Sequence, residues 1–311
     1  MVSEHAHSGG VAMTFAKETP VLRFLSPGKL RPTSIGYDLE KKAAIGIGLD
    51  SFLYGSCNRI LVFGLAGSGM SGFVEYVLQE LTTKYSVPID PIELNCENII
   101  LENEMSKTIR DVQKRTDEAF QRNAKDGTLS ILIIEKPEAL SSEIENFLAS
   151  KTVAKPWLSL FLRRSYSRTL IFFTSDDPSK MDLSLSQFAK IPIYLSPLDL
   201  KSLQEIFKGK LKRQDSGSIA EYLHKAVEDD GFRLVSAEVV KATEKAMQEV
   251  KDFNDLSIGV AAASVRERIF PCYPIEEVEA YERRNADWIS HARNFVLAYW
   301  PSKLEELRGR M

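Results

Sequence analysis

Three short apolar runs, each bounded by turn-forming residues, limit what this chain can fold into. They are Arg59–Phe63, Ser130–Ile134 and Thr169–Phe173. Nearly continuous apolar runs of about five residues are typical of strands that are buried on both faces of a parallel sheet. Two weaker runs, Pro91–Leu94 and Ile191–Leu195, predict further strands, and Pro192 favours an edge position or a strand start for the second.

Helical patterns alternate with these runs, over residues 72–85 and 105–124. Such an alternation predicts a doubly wound, mostly parallel α/β sheet. Beyond about residue 198 the strand patterns stop, and helical periodicity with charged faces takes their place. It covers the segments 199–213, 217–228, 235–250 and 274–298. The sequence therefore predicts an α/β domain followed by a small all-helical domain.

The same patterns divide the 311 residues into three parts. We predict a flexible N-terminal arm over residues 1–30, an α/β domain over 31–197 and a C-terminal helical domain over 198–311. The arm is rich in Gly, Ser, Thr and Pro and shows no sustained period. Its apolar segment Val21–Leu25 could dock the arm onto a folded domain.

The composition excludes several classes of function. A net charge of −3 gives no global field that would attract nucleic acid or an anionic membrane. No apolar run reaches the roughly 20 residues that a membrane-spanning helix needs. The three cysteines and four histidines lack the spacing of a disulfide framework or a zinc site. We expect a cytoplasmic protein, with the nucleus as an alternative, and no nucleic-acid partner.

A glycine-rich loop follows the first strong strand. It reads Gly64-Leu65-Ala66-Gly67-Ser68-Gly69-Met70-Ser71 and leads into an amphipathic helix. This matches the pattern GxxxxGK[ST] at every defined position except Met70, where the pattern has lysine. Backbone N–H groups and the helix N-terminus bind phosphate in such loops, and the hydroxyl of Ser71 would bind Mg²⁺. The alternative is an ordinary glycine-rich turn between a strand and a helix.

The second strong strand ends in Glu135-Lys136-Pro137-Glu138-Ala139-Leu140. In P-loop ATPases an acidic residue here binds Mg²⁺, and the next residue is often a glutamate that polarises the attacking water. Glu135 takes the first position, but Lys136 falls on the second. A lysine accepts a proton at neutral pH only if its pKa is strongly lowered. Lys136 could instead bind phosphate in place of the missing loop lysine, or it could simply cap a solvated strand end.

These two segments resemble the Walker A and Walker B motifs of AAA proteins of the valosin-containing-protein, katanin and vacuolar-sorting type. Further similarities extend the resemblance over about residues 35 to 290. They are the entry segment Ile35–Ala43, a sensor 1 segment Thr174–Pro178, a sensor 2 segment over 230–239 and a closing segment Pro274–Arg283. In sensor 1, Asp176 replaces an asparagine, and Gln187 stands at the position of the arginine finger.

The resemblance implies a P-loop NTPase fold with a helical lid, ATP or ADP with Mg²⁺ as ligand, and ring assembly with copies of itself or other AAA subunits. The candidate nucleotide-binding residues are Gly64, Gly67, Ser68, Gly69, Met70, Ser71, Glu135, Lys136 and Asp176, and the candidate Mg²⁺ ligands are Ser71 and Glu135. Because the lysine, the catalytic glutamate, the sensor asparagine and the arginine finger are all replaced, we predict no catalytic residue and negligible turnover. The expected function is that of a pseudo-ATPase scaffold or regulatory subunit. The alternatives are a divergent active ATPase and a nucleotide-free interaction module.

Overall fold

The computed structural model describes residues 22–26, 36–101, 105–140, 162–163, 166–211, 213–269 and 272–308. Within them a six-stranded sheet has the order β1-β3-β4-β5-β2-β6. The strands are β1 (Leu22–Phe24), β2 (Cys57–Phe63), β3 (Ile89–Asn95), β4 (Leu129–Glu135), β5 (Thr169–Ser175) and β6 (Ile191–Tyr194). All the neighbouring pairs are parallel except β1 with β3. The predicted strands and the mostly parallel sheet are confirmed.

The central strands are buried on both faces, as their apolar runs predicted. Every residue of β5 is buried, and in β4 only Glu135 is not. Alternate side chains of these strands enter two different apolar clusters, one on each face of the sheet. The weaker run over 191–194 forms the edge strand β6, which pairs only with β2 in the sheet order. Pro192 is therefore tolerated, because an edge strand needs hydrogen bonds on one side only.

Helices cover both faces of this sheet. They are α1 (Asp38–Tyr54), α2 (Met70–Thr83), α3 (Cys96–Leu101), α4 (Met105–Asp126) and the short α5 (Leu183–Ser186). The buried residues of α1 and α2 belong to one apolar cluster, and those of α3 and α4 belong to the other. This arrangement is the doubly wound α/β layer structure that the sequence predicted.

The helical lid follows β6. It contains α6 (Leu200–Lys210), α7 (Ser216–Asp229), α8 (Ser236–Glu249) and α9 (Ile258–Arg266), which share a third apolar cluster built from residues between 198 and 272. Two short strands, β7 (Phe232–Arg233) and β8 (Tyr273–Pro274), pair in an antiparallel fashion. The expectation that strands end at about residue 198 is wrong for this pair, since two residues are too few to produce an alternating pattern.

The last two helices are α10 (Ile275–Arg284) and α11 (Ala286–Arg308), and they replace the single helical segment predicted over 274–298. They pack against the α/β part and not against the lid cluster. Val278 and Ile289 lie in the cluster on one face of the sheet, and Val296 and Leu307 lie in the cluster on the other. The predicted helical domain over 198–311 therefore mixes two packing units, because a helical period does not reveal which core a helix covers.

The described part of the predicted arm belongs to the sheet. Leu22–Phe24 pairs with β3, and Leu22 is buried, so the apolar segment of the arm does dock. The rest of the arm, residues 1–21 and 27–30, lies outside the described residues. Among the helices that are described, none combines the length and the apolar character needed to cross a membrane.

Candidate functional site

The glycine-rich loop lies between β2 and α2, in the strand–loop–helix context that the motif requires. Gly67 and Gly69 have φ angles of 82° and 90°. These left-handed conformations are ones that glycine adopts without steric cost. Helix α2 begins at Met70, so the unpaired N–H groups of its first turn lie at the end of the loop. The backbone therefore places a helix N-terminus directly after a glycine-rich turn, as the phosphate-binding prediction requires.

The side chains of this loop are less suited to phosphate than its backbone. Met70 is half-buried and packs against the apolar cluster that α1 and α2 share. Ser71 is exposed, whereas Ser68 is buried behind the loop, close to the α-carbon of Gly64. The loop thus offers phosphate its N–H groups and the Ser71 hydroxyl, and its side chains carry no positive charge.

The carboxyl ends of three neighbouring strands bring the other predicted site residues together. Asn95 is the register partner of Glu135, which in turn pairs with Thr174. The Glu135 carboxylate accepts a hydrogen bond from the Asn95 amide at 3.2 Å. Lys136 and Asp176 follow directly on β4 and β5, so the structure places these two predicted site residues side by side.

Lys136 forms ion pairs with two carboxylates at this edge of the sheet. Its Nζ lies 3.0 Å from Glu97 Oε1, at the start of α3, and 3.9 Å from Asp176 Oδ2. The hydrogen bond to Glu97 raises the pKa of Lys136, so the ammonium stays charged at neutral pH. Lys136 and Asp176, which the motif comparison considers separately, are therefore complementary in charge and face each other.

Glu138 and Asp176 are held close together behind this ion cluster. The Glu138 Oε1 atom accepts a hydrogen bond from the backbone N–H of Asp176 at 3.0 Å. Burial raises the pKa of both carboxyl groups above their ordinary values. For Asp176 the nearby Lys136 opposes that rise. The edge is thus rich in carboxylates, and Lys136 is the cation that faces them.

The lid contacts the glycine-rich loop directly. The backbone N–H of Ala237, in the first turn of α8, donates to the Gly67 carbonyl at 3.0 Å. The Tyr273 hydroxyl donates to the Ala66 carbonyl at 2.9 Å. The Glu238 side chain packs over Gly67, where an added Cβ would lie 3.1 Å from its Cγ. The sequence indicated the start of α8 through its sensor 2 similarity, but no motif indicated Tyr273.

The segment after β5 is fastened to the junction of α10 and α11. Asp177 Oδ1 accepts from the Ser179 hydroxyl at 2.6 Å and from the buried Asn285 amide at 3.1 Å. The Asn285 side-chain carbonyl in turn accepts from the Ser179 N–H at 3.0 Å. Sequence reasoning missed this network, since Asn285 lies 108 residues from its partner and belongs to no motif.

The pKa of Asp177 makes this network sensitive to pH. Burial alone would raise it, but hydrogen bonds from Ser179 and Asn285 and the charges of Lys180 and Arg284 bring it below its ordinary value of 3.8. A lowered pKa means that the ionised form stabilises the fold, fully above pH 3.8 and progressively less as pH falls through the folded-state value. We expect Asp177→Asn to lower the free energy of unfolding by about 2 kcal/mol at neutral pH.

The check is urea unfolding of the wild type and Asp177→Asn between neutral pH and pH 3. The difference in unfolding free energy between the two proteins should be constant above the ordinary pKa of Asp177 and should become smaller at lower pH. A gap that is the same at every pH would show that the carboxylate charge does not contribute. Asp111→Asn, at an exposed position of α4, serves as a comparison for acid effects that are unrelated to this network.

The implied Mg²⁺–nucleotide fits this edge poorly. The loop backbone suits a phosphate group, but Glu238 places a carboxylate beside it, and that carboxylate is paired with Lys241 at 2.8 Å. Lys136 stands among the carboxylates of the strand edge, where a metal ion would be repelled. Within the described ranges no group of three or more His, Cys, Asp or Glu side chains is arranged to hold a metal. Gln187, at the predicted arginine-finger position, is exposed.

Comparison with known proteins identifies the fold. No protein-family model and no curated protein matches the sequence. Among solved structures, a chain of the HORMA:CdnC:Trip13 complex of E. coli MS115-1 superposes with a TM-score of 0.64 at 11 % identity, over 81 % of this chain and 96 % of that one. The FIGL-1 AAA domain superposes with a TM-score of 0.59 at 14 % identity, over 87 % of this chain and 93 % of that domain. A Trip13 structure from Rhizobiales gives 0.53 at 12 % identity, over 79 % and 96 %.

At these identities the likeness concerns the fold. The α/β sheet and lid of this chain have the fold of AAA domains, as the sequence resemblance implied. The similarity extends over nearly the whole of the neighbouring chains.

Proposed function

We propose that this chain is a non-hydrolysing AAA module that acts through assembly with other proteins, as a scaffold or regulatory subunit. The observation that carries the proposal is the pairing of Lys136 with Glu97 and Asp176. The position of the catalytic glutamate holds an ammonium group that is already engaged by two carboxylates. While protonated, such a group does not accept a proton from water, and turning toward a phosphate would cost it both ion pairs.

The expected loss of rate follows from ordinary acid–base catalysis. A positioned general base contributes about 10²–10⁴ in rate, and an arginine finger about 10³–10⁵ in related NTPases. Lys136 supplies no base, and Gln187 supplies no guanidinium group. These contributions are not additive, but the loss of either leaves little turnover.

The motif similarities support a place among AAA proteins of the valosin-containing-protein, katanin and vacuolar-sorting type. For partners we propose copies of this chain or other AAA subunits in a ring, together with further proteins. One structural neighbour is described as part of a complex with HORMA and CdnC, so at least one protein of this fold works beside non-AAA proteins. For the compartment we propose the cytoplasm, a setting that is consistent with three free cysteines.

A nucleotide-free interaction module is the second candidate, and a specific observation favours it. The hypothesis that Lys136 replaces the loop lysine requires an available ammonium, yet Glu97 holds that group at 3.0 Å. Glu238 packs a carboxylate over Gly67, although Lys241 pairs with that carboxylate at 2.8 Å. If nucleotide binds, we propose that it does so through the backbone of residues 64–71 and the Ser71 hydroxyl, without a lysine.

Phosphate release tests the main proposal. We expect the wild type, with ATP and Mg²⁺, to release phosphate no faster than Ser71→Ala, because neither protein has a base or a finger. A wild-type rate that Ser71→Ala abolishes would establish a divergent active ATPase and overturn the proposal.

Calorimetry with ATP and with ADP then separates the two candidates. Heat that saturates at one site per chain and is lost in Ser71→Ala supports a nucleotide-binding scaffold. An absence of heat at high protein concentration supports the nucleotide-free module. Light scattering with and without nucleotide measures whether the chain assembles with itself.

A further inference from the structure

We propose that Lys136 is a built-in cation that takes the electrostatic place of the metal ion at this edge of the sheet. The inference rests on the proposed function, since it explains how an AAA fold keeps this edge together without Mg²⁺–nucleotide. It follows from the poor fit between the residues present and the implied metal. The ammonium bridges α3, through Glu97, to the end of β5, through Asp176.

Charge balance is the first argument. Glu97, Asp176 and Glu138 all face Lys136 closely enough to stabilise its charged form. Glu135, one residue before it, is half-buried and accepts a hydrogen bond from Asn95 at 3.2 Å. Carboxylates gathered at one strand edge repel each other unless a cation lies among them. Elsewhere such groups recruit Mg²⁺ or Ca²⁺, which prefer oxygen ligands; here the cation is a side chain.

Backbone geometry is the second argument. Lys136 has a φ of 52°, in the left-handed region that non-glycine residues rarely adopt. Its N–H donates to the Thr174 carbonyl at 2.9 Å, and its carbonyl accepts from the Ala139 N–H at 3.0 Å. The peptide groups on both sides are therefore fixed. A lysine in so unfavourable a conformation is explained if its side chain is needed at this point.

The partners of Lys136 come from three separate parts of the sheet edge. Glu97 lies in α3 after β3, Lys136 follows β4 and Asp176 follows β5. One ammonium thus connects the ends of three adjacent strands, which is the geometric role of a metal ion at a shared edge. We infer that the wild type holds α3 against this edge independently of divalent cations and that removal of the ammonium makes the edge dependent on them.

Thermal unfolding with and without MgCl₂ tests this inference in the absence of nucleotide, at constant ionic strength. Lys136→Gly is the variant of choice, because glycine accepts the left-handed φ and the chain should fold. We expect the wild-type Tm to be the same with and without millimolar Mg²⁺. The Tm of Lys136→Gly should fall in EDTA and rise with Mg²⁺ by about 2–4 °C.

Two controls make the result specific. Lys180→Gly removes a lysine that lies 3.6 Å from Asp177, a carboxylate that also has Arg284 at 3.6 Å, so no response to Mg²⁺ should appear. Adding Asp176→Asn to Lys136→Gly should abolish the Mg²⁺ response. Stabilisation of the wild type by Mg²⁺, or a Lys136→Gly protein that ignores Mg²⁺, would overturn the inference. These Tm measurements use no ATP. A negative result here would therefore overturn the inference alone, whereas ATP-dependent phosphate release would overturn the proposed function.

Discussion

Gly64→Ala is expected to lower the free energy of unfolding by about 3 kcal/mol or more, because no space exists for a methyl group at the start of the glycine-rich loop. A Cβ on Gly64 would lie 2.5 Å from the Leu195 carbonyl oxygen and 2.7 Å from Ser68 Oγ. The Leu195 carbonyl belongs to the backbone and cannot rotate away. Leu195 also donates its N–H to the Phe63 carbonyl at 2.8 Å, which ties the two chain segments together.

Urea unfolding followed by circular dichroism measures this effect, and Gly217→Ala is its control. Gly217 lies in the first turn of α7, and an added Cβ would meet no atom within 4 Å. There alanine should be neutral or stabilise by up to about 1 kcal/mol, because it loses less conformational entropy on folding. If Gly64→Ala were as stable as the wild type, the loop would not be packed against β6 as described.

Asn285→Ala is expected to cost about 2–4 kcal/mol, the second-largest effect that we predict. The Asn285 side chain is 1 % exposed and bonds at both ends, with its amide to Asp177 and its carbonyl to the Ser179 N–H. Alanine would leave the Ser179 N–H without its acceptor and the buried Asp177 carboxylate with one donor fewer. A buried polar group that loses a hydrogen-bond partner, as Asp177 would, carries a desolvation penalty.

The exposed Asn294, nine residues further along the same stretch of chain, provides the control. Asn294→Ala should change the free energy of unfolding by less than about 0.5 kcal/mol, since surface substitutions away from special features are usually small. A double-mutant cycle of Asn285→Ala with Asp177→Asn should show strong non-additivity, because the two residues share one network. Additive losses would mean that Asn285 stabilises the fold through packing alone.

Local pattern predicted the strands and the loop of this protein. Five apolar runs became five strands of the sheet, and the glycine-rich loop adopts positive φ at Gly67 and Gly69, because these features depend on neighbouring residues and on backbone sterics. The apolar runs also predicted that Lys136 and Asp176 lie just after the ends of strands. The motif comparison connects Lys136 with the missing lysine of the loop but not with Asp176, since a motif compares one position at a time.

Contacts between distant segments were beyond the reach of such patterns. The sequence did not indicate that Tyr273 bonds to Ala66, which lies 207 residues away, or that α10 and α11 return to the sheet. A helical period reports that one face is apolar, but not which surface covers it. The same limit applies to polar groups, whose partners are chosen by three-dimensional proximity.

By itself the sequence determined that the chain forms a mostly parallel α/β sheet with a glycine-rich loop after its first strong strand. Only the tertiary structure decided which charges meet at the ends of the strands. Lys136 meets Asp176 because parallel strands bring their carboxyl ends to one edge, and it meets Glu97 because α3 begins there. The pairing arises from charges that become neighbours on folding, and no spacing along the chain encodes it.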